Sequence, residues 1–347
     1  MRQMAFLDGT MSISIQAKRG IFFAFILMVL IGVLLSAGLM RFLVRPSRTG
    51  APDQIFVVPE GATLREVVVR LEKDGIISNK DFLLLWNRLT GSEVNVKAGE
   101  YKLNSGMPPL AILDTLNKGR VVTHSVTIPE GFTIRQIADE LASRGLAHRG
   151  EFISLAENPD TVVQYGLPGP TLEGYLYPDT YRFARGRPAA PIIHAMVHRF
   201  HEKLASLTKE VGASGMTLQK IVTLASLVEK ETGQSEERPL IASVFRNRLK
   251  KGMRLESDPT VIYGIRDFNG NLTRGDLNRE TPYNTYVIRG LPAGPIANPG
   301  EASIRAVLHP AETDFLYFVS KNDGTHHFSK TLAEHNRAVR KYQKRGR

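Results

Sequence analysis

The chain of 347 residues contains no cysteine. That absence excludes disulfides, thiolate metal sites, iron–sulfur clusters, a cysteine nucleophile and acylation of an N-terminal cysteine. A protein facing an oxidising compartment can safely lack it. Only one long charge-free apolar run is present, so the chain is not a polytopic membrane protein. With 42% hydrophobic and 23% charged residues it is neither disordered nor collagen-like. No helix-turn-helix or interleaved basic-aromatic pattern is found, which disfavours nucleic-acid binding. What the chain has in excess is positive charge: 45 Lys+Arg against 34 Asp+Glu, a net +11 that would suit anionic lipid or an anionic wall polymer. Its length predicts about two domains.

The apolar run is Ile21 to Met40, IFFAFILMVLIGVLLSAGLM, bounded by Lys18 and Arg19 on one side and Arg41 on the other. Twenty residues at about 1.5 Å each span the roughly 30 Å of a hydrocarbon core, which predicts a single-span anchor. A cleaved signal peptide would need a shorter run and a small-residue cleavage site. Arg2, Lys18 and Arg19 before the run nearly balance Arg41, Arg45 and Arg48 after it, so charge alone does not orient it. Pro46 to Pro52 (PSRTGAP) then reads as a short linker.

A unit repeats beyond the linker. Pro59-Glu60-Gly61-x-Thr63 recurs seventy residues on as Pro129-Glu130-Gly131-x-Thr133, and Arg65, Leu71, Gly75 and Phe82 recur as Arg135, Leu141, Gly145 and Phe152. Each copy predicts a short strand, a turn, and a helix capped by Thr63 or Thr133 and stopped by Gly75 or Gly145. Between the copies, residues 98–103 look like a second strand and Pro109 to Asn117 like a second helix. Two strands and two helices resemble a LysM carbohydrate-binding module, which implies glycan binding; a duplicated spacer packed on the main domain reads equally well.

Thr217 to Thr232, TLQKIVTLASLVEKET, predicts a helix with Thr217 as N-cap and Gly233 as its stop. Leu218, Ile221, Val222, Ala225 and Val228 form one apolar arc, and Glu229 falls inside it; Lys220, Thr223 and Lys230 take the opposite side, with Glu231 at the edge. A carboxylate on an apolar face in the last helical turn is disfavoured by burial and by the helix dipole, so Glu229 is expected to stay protonated towards neutrality, as a general acid must. The competing expectation is a structural ion pair with Arg246 or Arg248 on the next helix. Ser235 is expected to cap that helix, and Ser257 or Asp258 the short one that follows. His326, His327 and His335 lack a nearby carboxylate at metal-ligand spacing, so no metal or other cofactor is expected.

LASLVEKET (Leu224–Thr232), SVFRNRL (Ser243–Leu249), SDPTVIYG (Ser257–Gly264), YNTY (Tyr283–Tyr286) and GLPAGPIANPG (Gly290–Gly300) follow one another, with EGYLYPDTY (Glu173–Tyr181) upstream and LYFV (Leu316–Val319) downstream. Together they closely resemble the MltG (YceG-like) family of endolytic murein transglycosylases. Ala293 stands where many members have proline. The resemblance implies an α+β protein with a single N-terminal transmembrane helix, a LysM-like subdomain and a catalytic domain with a lysozyme-like active-site helix. The expected division is 1–20 cytoplasmic, 21–40 transmembrane, 41–54 linker, 55–125 LysM-like and 126–347 catalytic. It also implies an inner-membrane location with the catalytic part in the periplasm, peptidoglycan strands as substrate, and peptidoglycan synthases as candidate neighbours. The implied reaction is lyase-type cleavage of the MurNAc–GlcNAc bond, forming a 1,6-anhydro end and limiting strand elongation. The family's catalytic Glu maps onto Glu229. Asn247, Asn284, Tyr286, Glu173 and Tyr263 are the candidates for substrate binding, with Glu173 read rather as a structural partner than as a second functional acid. A muramidase-type hydrolase would need a second carboxylate from Glu231, Glu256 or Asp258; a non-catalytic wall-binding scaffold would need none.

Overall fold

The computed structural model describes residues 15–91 and 94–343, which divide into two units between Val122 and Thr123. Both are mixtures of helices and two-stranded antiparallel sheets.

The first unit begins with α1 (Ile15–Val44), followed by β1 (Gln54–Val58), α2 (Leu64–Lys73), α3 (Lys80–Thr90), β2 (Gly99–Leu103) and α4 (Pro109–Lys118). Helix α1 carries the apolar run and is long and apolar enough to cross a membrane. It also continues past it: residues 41–44, expected in the linker, form its last turn. Leu43 is fully buried there, in one core with Phe56, Val58, Leu71, Tyr101 and Leu116. β1 pairs with β2 from Gln54↔Leu103 to Val58↔Gly99, turning Phe56 and Val58 inward and leaving Ile55 and Val57 outside. Thr63 and Glu66 form the capping box that starts α2.

The second unit opens with β3 (His124–Thr127), α5 (Ile134–Ser143), α6 (Arg149–Ala156), α7 (Pro159–Gln164), β4 (Thr180–Phe183) and α8 (Ala189–Ala205). Thr133 and Gln136 repeat the capping box at α5. β3 pairs antiparallel with β4 from His124↔Phe183 to Thr127↔Thr180. The duplication therefore extends beyond its sequence signature, because β1–α2–α3–β2–α4 is matched by β3–α5–α6–β4–α8 with α7 inserted. Two shared details mark the match. Tyr101 and Tyr181 each donate a 2.6 Å hydrogen bond to the carbonyl four residues earlier. Pro108 and Pro188 each precede the closing helix.

The rest of the second unit is α9 (Thr208–Ala213), α10 (Leu218–Glu231), α11 (Arg238–Lys250), α12 (Asp258–Tyr263), α13 (Arg274–Leu277), α14 (Glu301–Leu308), β5 (Tyr317–Ser320), β6 (His326–Ser329) and α15 (Leu332–Tyr342). Helix α10 is not a surface amphipathic helix. Every residue from Ile221 to Val228 is buried, including Thr223, expected on the polar side. The hydroxyl of Ser226 makes this possible, donating to Thr223 O (2.7 Å) and accepting from Ile296 N–H (3.0 Å). Thr217 caps the helix as expected, but its C-terminal end passes into extended Thr232 (φ −146°) rather than a left-handed Gly233. The N-cap of α11 is Glu237, not Ser235.

Candidate active site

Glu229 occupies the last turn of α10, and only 6% of its side chain is exposed. Its surroundings are less apolar than the sequence pattern suggests. Oε2 accepts the Gly300 N–H (3.0 Å), and Oε1 accepts from Arg238 Nη2 (3.3 Å) at the start of α11. Neither Arg246 nor Arg248 is the partner. Arg248 is spent elsewhere, donating to the carbonyls of Leu316, Arg254 and Leu255 and to Glu256. Arg238 Nη2 also meets Glu130 Oε2 at 3.5 Å, so two carboxyls share one guanidinium. Burial, and then the charge of Glu229, raise the Glu130 carboxyl above the ordinary glutamate range, with Arg238 opposing.

The turn carrying Glu130 lies against α10. Gly131 donates its N–H to Asn298 O (2.9 Å), its carbonyl accepts from Lys230 Nζ (3.3 Å), and a Cβ built on it would lie 3.5 Å from Glu229 Cγ. Gly300 has no room for a side chain: a Cβ there would overlap the Glu130 carboxylate. Asn298 binds this turn to the Glu173 loop. Its amide donates to Phe132 O (2.8 Å) and Glu173 Oε1 (2.9 Å), and its Oδ1 accepts the N–H groups of Gly174 and Leu176, both at 2.9 Å.

Glu173 is buried and pushed up to about 8, chiefly by burial against the opposing hydrogen bonds of Ile134 N–H, Tyr263 OH and Asn298. It lines a groove of about 900 Å³ together with Lys230, Tyr263, Tyr283, Thr133 and Ile296. The Tyr263 hydroxyl donates to Glu173 Oε2 at 3.1 Å, and its ring meets Tyr283 edge-on with centroids 4.8 Å apart. Of the two neighbours at the end of α10, Lys230 lines this groove and Glu229 does not.

Three other sequence candidates make their hydrogen bonds within the protein. Asn284, expected to position sugar, is fully buried. Its amide donates to the carbonyls of Asp276, Leu277 and Arg279, and its Oδ1 accepts Tyr286 N–H (2.9 Å), leaving nothing for a ligand. The Asn247 amide is committed to Thr313 O (2.7 Å) and Phe315 O (3.1 Å), away from the groove. Tyr286 donates to Asp258 Oδ1 (2.6 Å) and does not line the groove. Ser257 is the N-cap of α12, but its hydroxyl donates to Glu231 instead of capping. Glu231 is pushed up to about 7 by burial, with that hydrogen bond opposing. Of the histidines, His326 pairs with Glu237 (2.7 Å) and His335 stacks on Tyr317.

Arg238, Glu130 and Asn298 were not singled out from the sequence. A repeated P-E-G turn and the NPG end of the last long loop were their visible signals; the long-range pairing that gives them a role was not visible.

The YceG-like family matches residues 56–341 of this chain. The endolytic murein transglycosylase of Bacillus subtilis is 35% identical over 302 residues, which cover 82% of this chain and 83% of that protein. That of Streptococcus pneumoniae serotype 2 (strain D39) is 28% identical over 314 residues, covering 81% of this chain and 57% of the longer Streptococcus protein. The crystal structure of a YceG-like protein from Listeria monocytogenes superposes with a TM-score of 0.58 at 34% identity, covering 83% of this chain and 100% of that one. On the breadth of the family match and the identity to these relatives, the chain belongs to the YceG-like family.

Proposed function

We propose that this protein is an endolytic murein transglycosylase that cleaves the MurNAc–GlcNAc β-1,4 bond inside nascent peptidoglycan strands, with Glu229 as its catalytic acid and base. The observation that carries this reading is the placement of Glu229. It is a buried carboxyl at the end of a buried helix, as in a lysozyme acid helix, and it is braced by Arg238 and Gly300 N–H beside an aromatic groove.

The chemistry needs only one carboxyl. Protonated Glu229 donates to the glycosidic oxygen of the departing N-acetylglucosamine, and the carboxylate left behind is held by Arg238 and the Gly300 N–H, both in place beforehand. The carboxylate then takes the proton from the muramic acid C6 hydroxyl as that oxygen attacks C1 and closes the 1,6-anhydro ring. The nucleophile belongs to the same sugar, so the entropy of bringing two reactants together is largely avoided. Tyr263 and Tyr283 give the groove faces on which sugar rings stack, and Glu173 holds the Tyr263 hydroxyl in position. A muramidase would leave reducing ends instead, and a scaffold would leave strands intact.

The chain is retained in the cytoplasmic membrane by α1, with its catalytic unit on the outer side where the substrate lies. Retention is supported by the burial of Leu43, which makes the last turn of α1 part of the first unit's core. The β1–α2–α3–β2 arrangement supports a LysM-like, glycan-binding role for that unit.

The test is mass spectrometry of uncrosslinked glycan strands treated with the full chain or with Glu229→Gln. The wild type should yield anhydro-ended fragments from mid-strand positions, and the variant should lose about two to four orders of magnitude in rate. Anhydro ends formed at undiminished rate by the variant would overturn the assignment of Glu229.

A further inference from the structure

The chain's only tryptophan, Trp86, lies on α3, a helix whose outer face is only partly covered by protein. Leu83 turns into the core at 1% exposure; beside it Phe82, Leu85, Trp86 and Leu89 recur at i, i+3, i+4 and i+7 as a second stripe, in which Trp86 is half-buried against the edge of the same core. Within it Leu85 is 44% and Leu89 68% exposed. An apolar stripe of this kind on a folded domain marks a surface that meets something apolar.

Its neighbour identifies that partner. The stripe begins where α1 enters the unit: the Phe82 ring meets Phe42 of α1 edge-on at 5.5 Å. Along α1 every side chain from Arg19 to Gly38 is exposed, and cover begins at Leu39, inside the last turn of the charge-free run. A bilayer filled by Ile21–Met40 therefore ends at the level where α3 packs, Phe42 being less than one turn past Met40. Arg41, Arg45 and Arg48 on the emerging chain and Arg88 on α3 itself are all exposed at or beside this boundary, where lipid phosphates lie. A Trp beside aliphatic residues with basic residues close by is the composition of a helix lying in a membrane interface.

We propose that α3 lies on the leaflet from which α1 emerges, with Leu85, Trp86 and Leu89 set among the upper acyl chains. The partner of this face is the lipid surface itself. The first unit is thus held to the bilayer at two places, α1 and α3, and does not swing freely on a linker. This rests on reading α1 as a retained anchor, so the experiment separates the two.

The full chain is reconstituted in vesicles of phosphatidylethanolamine and phosphatidylglycerol, with or without phosphatidylcholine brominated near the top or near the middle of its acyl chains. As the sole tryptophan, Trp86 reports without background. Its emission should fall about twofold or more with shallow bromines, less with deep ones, and should resist aqueous iodide. Leu85→Ser/Leu89→Ser, which alters only exposed positions, should lose most of that quenching while the chain still resists carbonate extraction. A chain that resists carbonate but whose Trp86 is insensitive to bromine and quenched by iodide overturns the inference and leaves the anchor standing. Carbonate release of the wild-type chain overturns both. Shielding from both quenchers, with a cross-linked dimer on the same face, overturns it in favour of a second copy.

Discussion

The first copy of the β–α–α–β–α unit leaves its Pro-Glu-Gly turn in water, whereas the second sets the same turn against α10. Gly61 is exposed, with open space where a Cβ would stand; Gly131 is buried against Glu229 and Lys230. Glu60 projects into solvent, while Glu130 shares Arg238 with Glu229. The second copy also has a longer connection before its returning strand, and that insertion carries Glu173 into the groove. One fold thus serves twice: its first copy buries the end of the apolar helix, and its second supplies a wall of the candidate active site. The capping boxes and the tyrosine hydrogen bonds, which hold each copy together, are common to both; the differences lie in the turn and the insertion.

That division predicts different responses as pH rises. Glu173 is raised from 4.5 to about 8 in the folded chain by burial. The folded form holds a proton that the unfolded form releases, so this contribution is intact below about pH 4.5 and lost as pH rises through 8. The loss is at most on the order of 5 kcal/mol. Glu231, raised to about 7, adds in the same direction. Among the described residues of the first unit the shifted carboxyls are Asp53 and Glu66, exposed, and Asp114, partly exposed; all are lowered, by hydrogen bonds from Lys102, Thr63 and Lys118 respectively, and their contribution is lost only as pH falls below the carboxylate range. Hydrogen exchange at pH 5 and pH 8, corrected for intrinsic rates, should show protection falling in α5–α8 and steady in α2–α4. Glu173→Gln should flatten the slope in the second unit; an unchanged slope would show that Glu173 does not hold that proton.

Removing the shared cation is the next largest perturbation. Arg238→Met leaves Glu229 buried with a single N–H partner and should cost about 3 kcal/mol in a urea melt of the second unit. Glu229→Gln placed in the same chain should recover a large part of that cost, since the two residues are in contact and their effects are not additive. The matching change in the first copy, Glu60→Gln, has no cation to lose and should stay within about 0.5 kcal/mol. If Glu60→Gln and Arg238→Met cost the same, the two turns do not differ in the way the structure describes.

Local features were legible in the sequence, and long-range ones were not. Thr63, Thr133 and Thr217 were readable as caps because a cap is decided within three residues. The duplication was readable only as far as Phe82 and Phe152, near the starts of α3 and α6, because the closing strands differ in offset by the insertion and Tyr101 and Tyr181 fall out of register. Helix α3 has no sequence signal because FLLLW is apolar on several sides and gives no single period; the structure sets Leu83 in the core and Phe82 against Phe42 of α1, and leaves Leu85 and Leu89 exposed. The burial of Glu229 followed from its place in the arc of α10. Its partner did not, since Arg238 was one of three arginines on the next helix and only the entry angle of α11 selects it. Asn284 looked like a sugar-binding amide for a related reason: a loop rich in amides and aromatics has the same composition whether those groups hold a ligand or hold the loop.

The smallest effect tests the symmetry itself. Tyr101 is fully buried and donates to Lys97 O, with Leu116 O also within 3.4 Å, while Tyr181 is partly exposed and donates to Tyr177 O. If the two tyrosines are one structural device used twice, Tyr101→Phe and Tyr181→Phe should each lose about 0.5–1.5 kcal/mol, the net worth of one neutral hydrogen bond. The first should lie at the upper end, because the Tyr101 hydroxyl also reaches the carbonyl of Leu116, a fully buried residue. Exchange protection in β2 and β4 reads the two losses separately. A loss confined to one copy would mean that the shared geometry is inherited from the duplication but carries weight in only one of the two places.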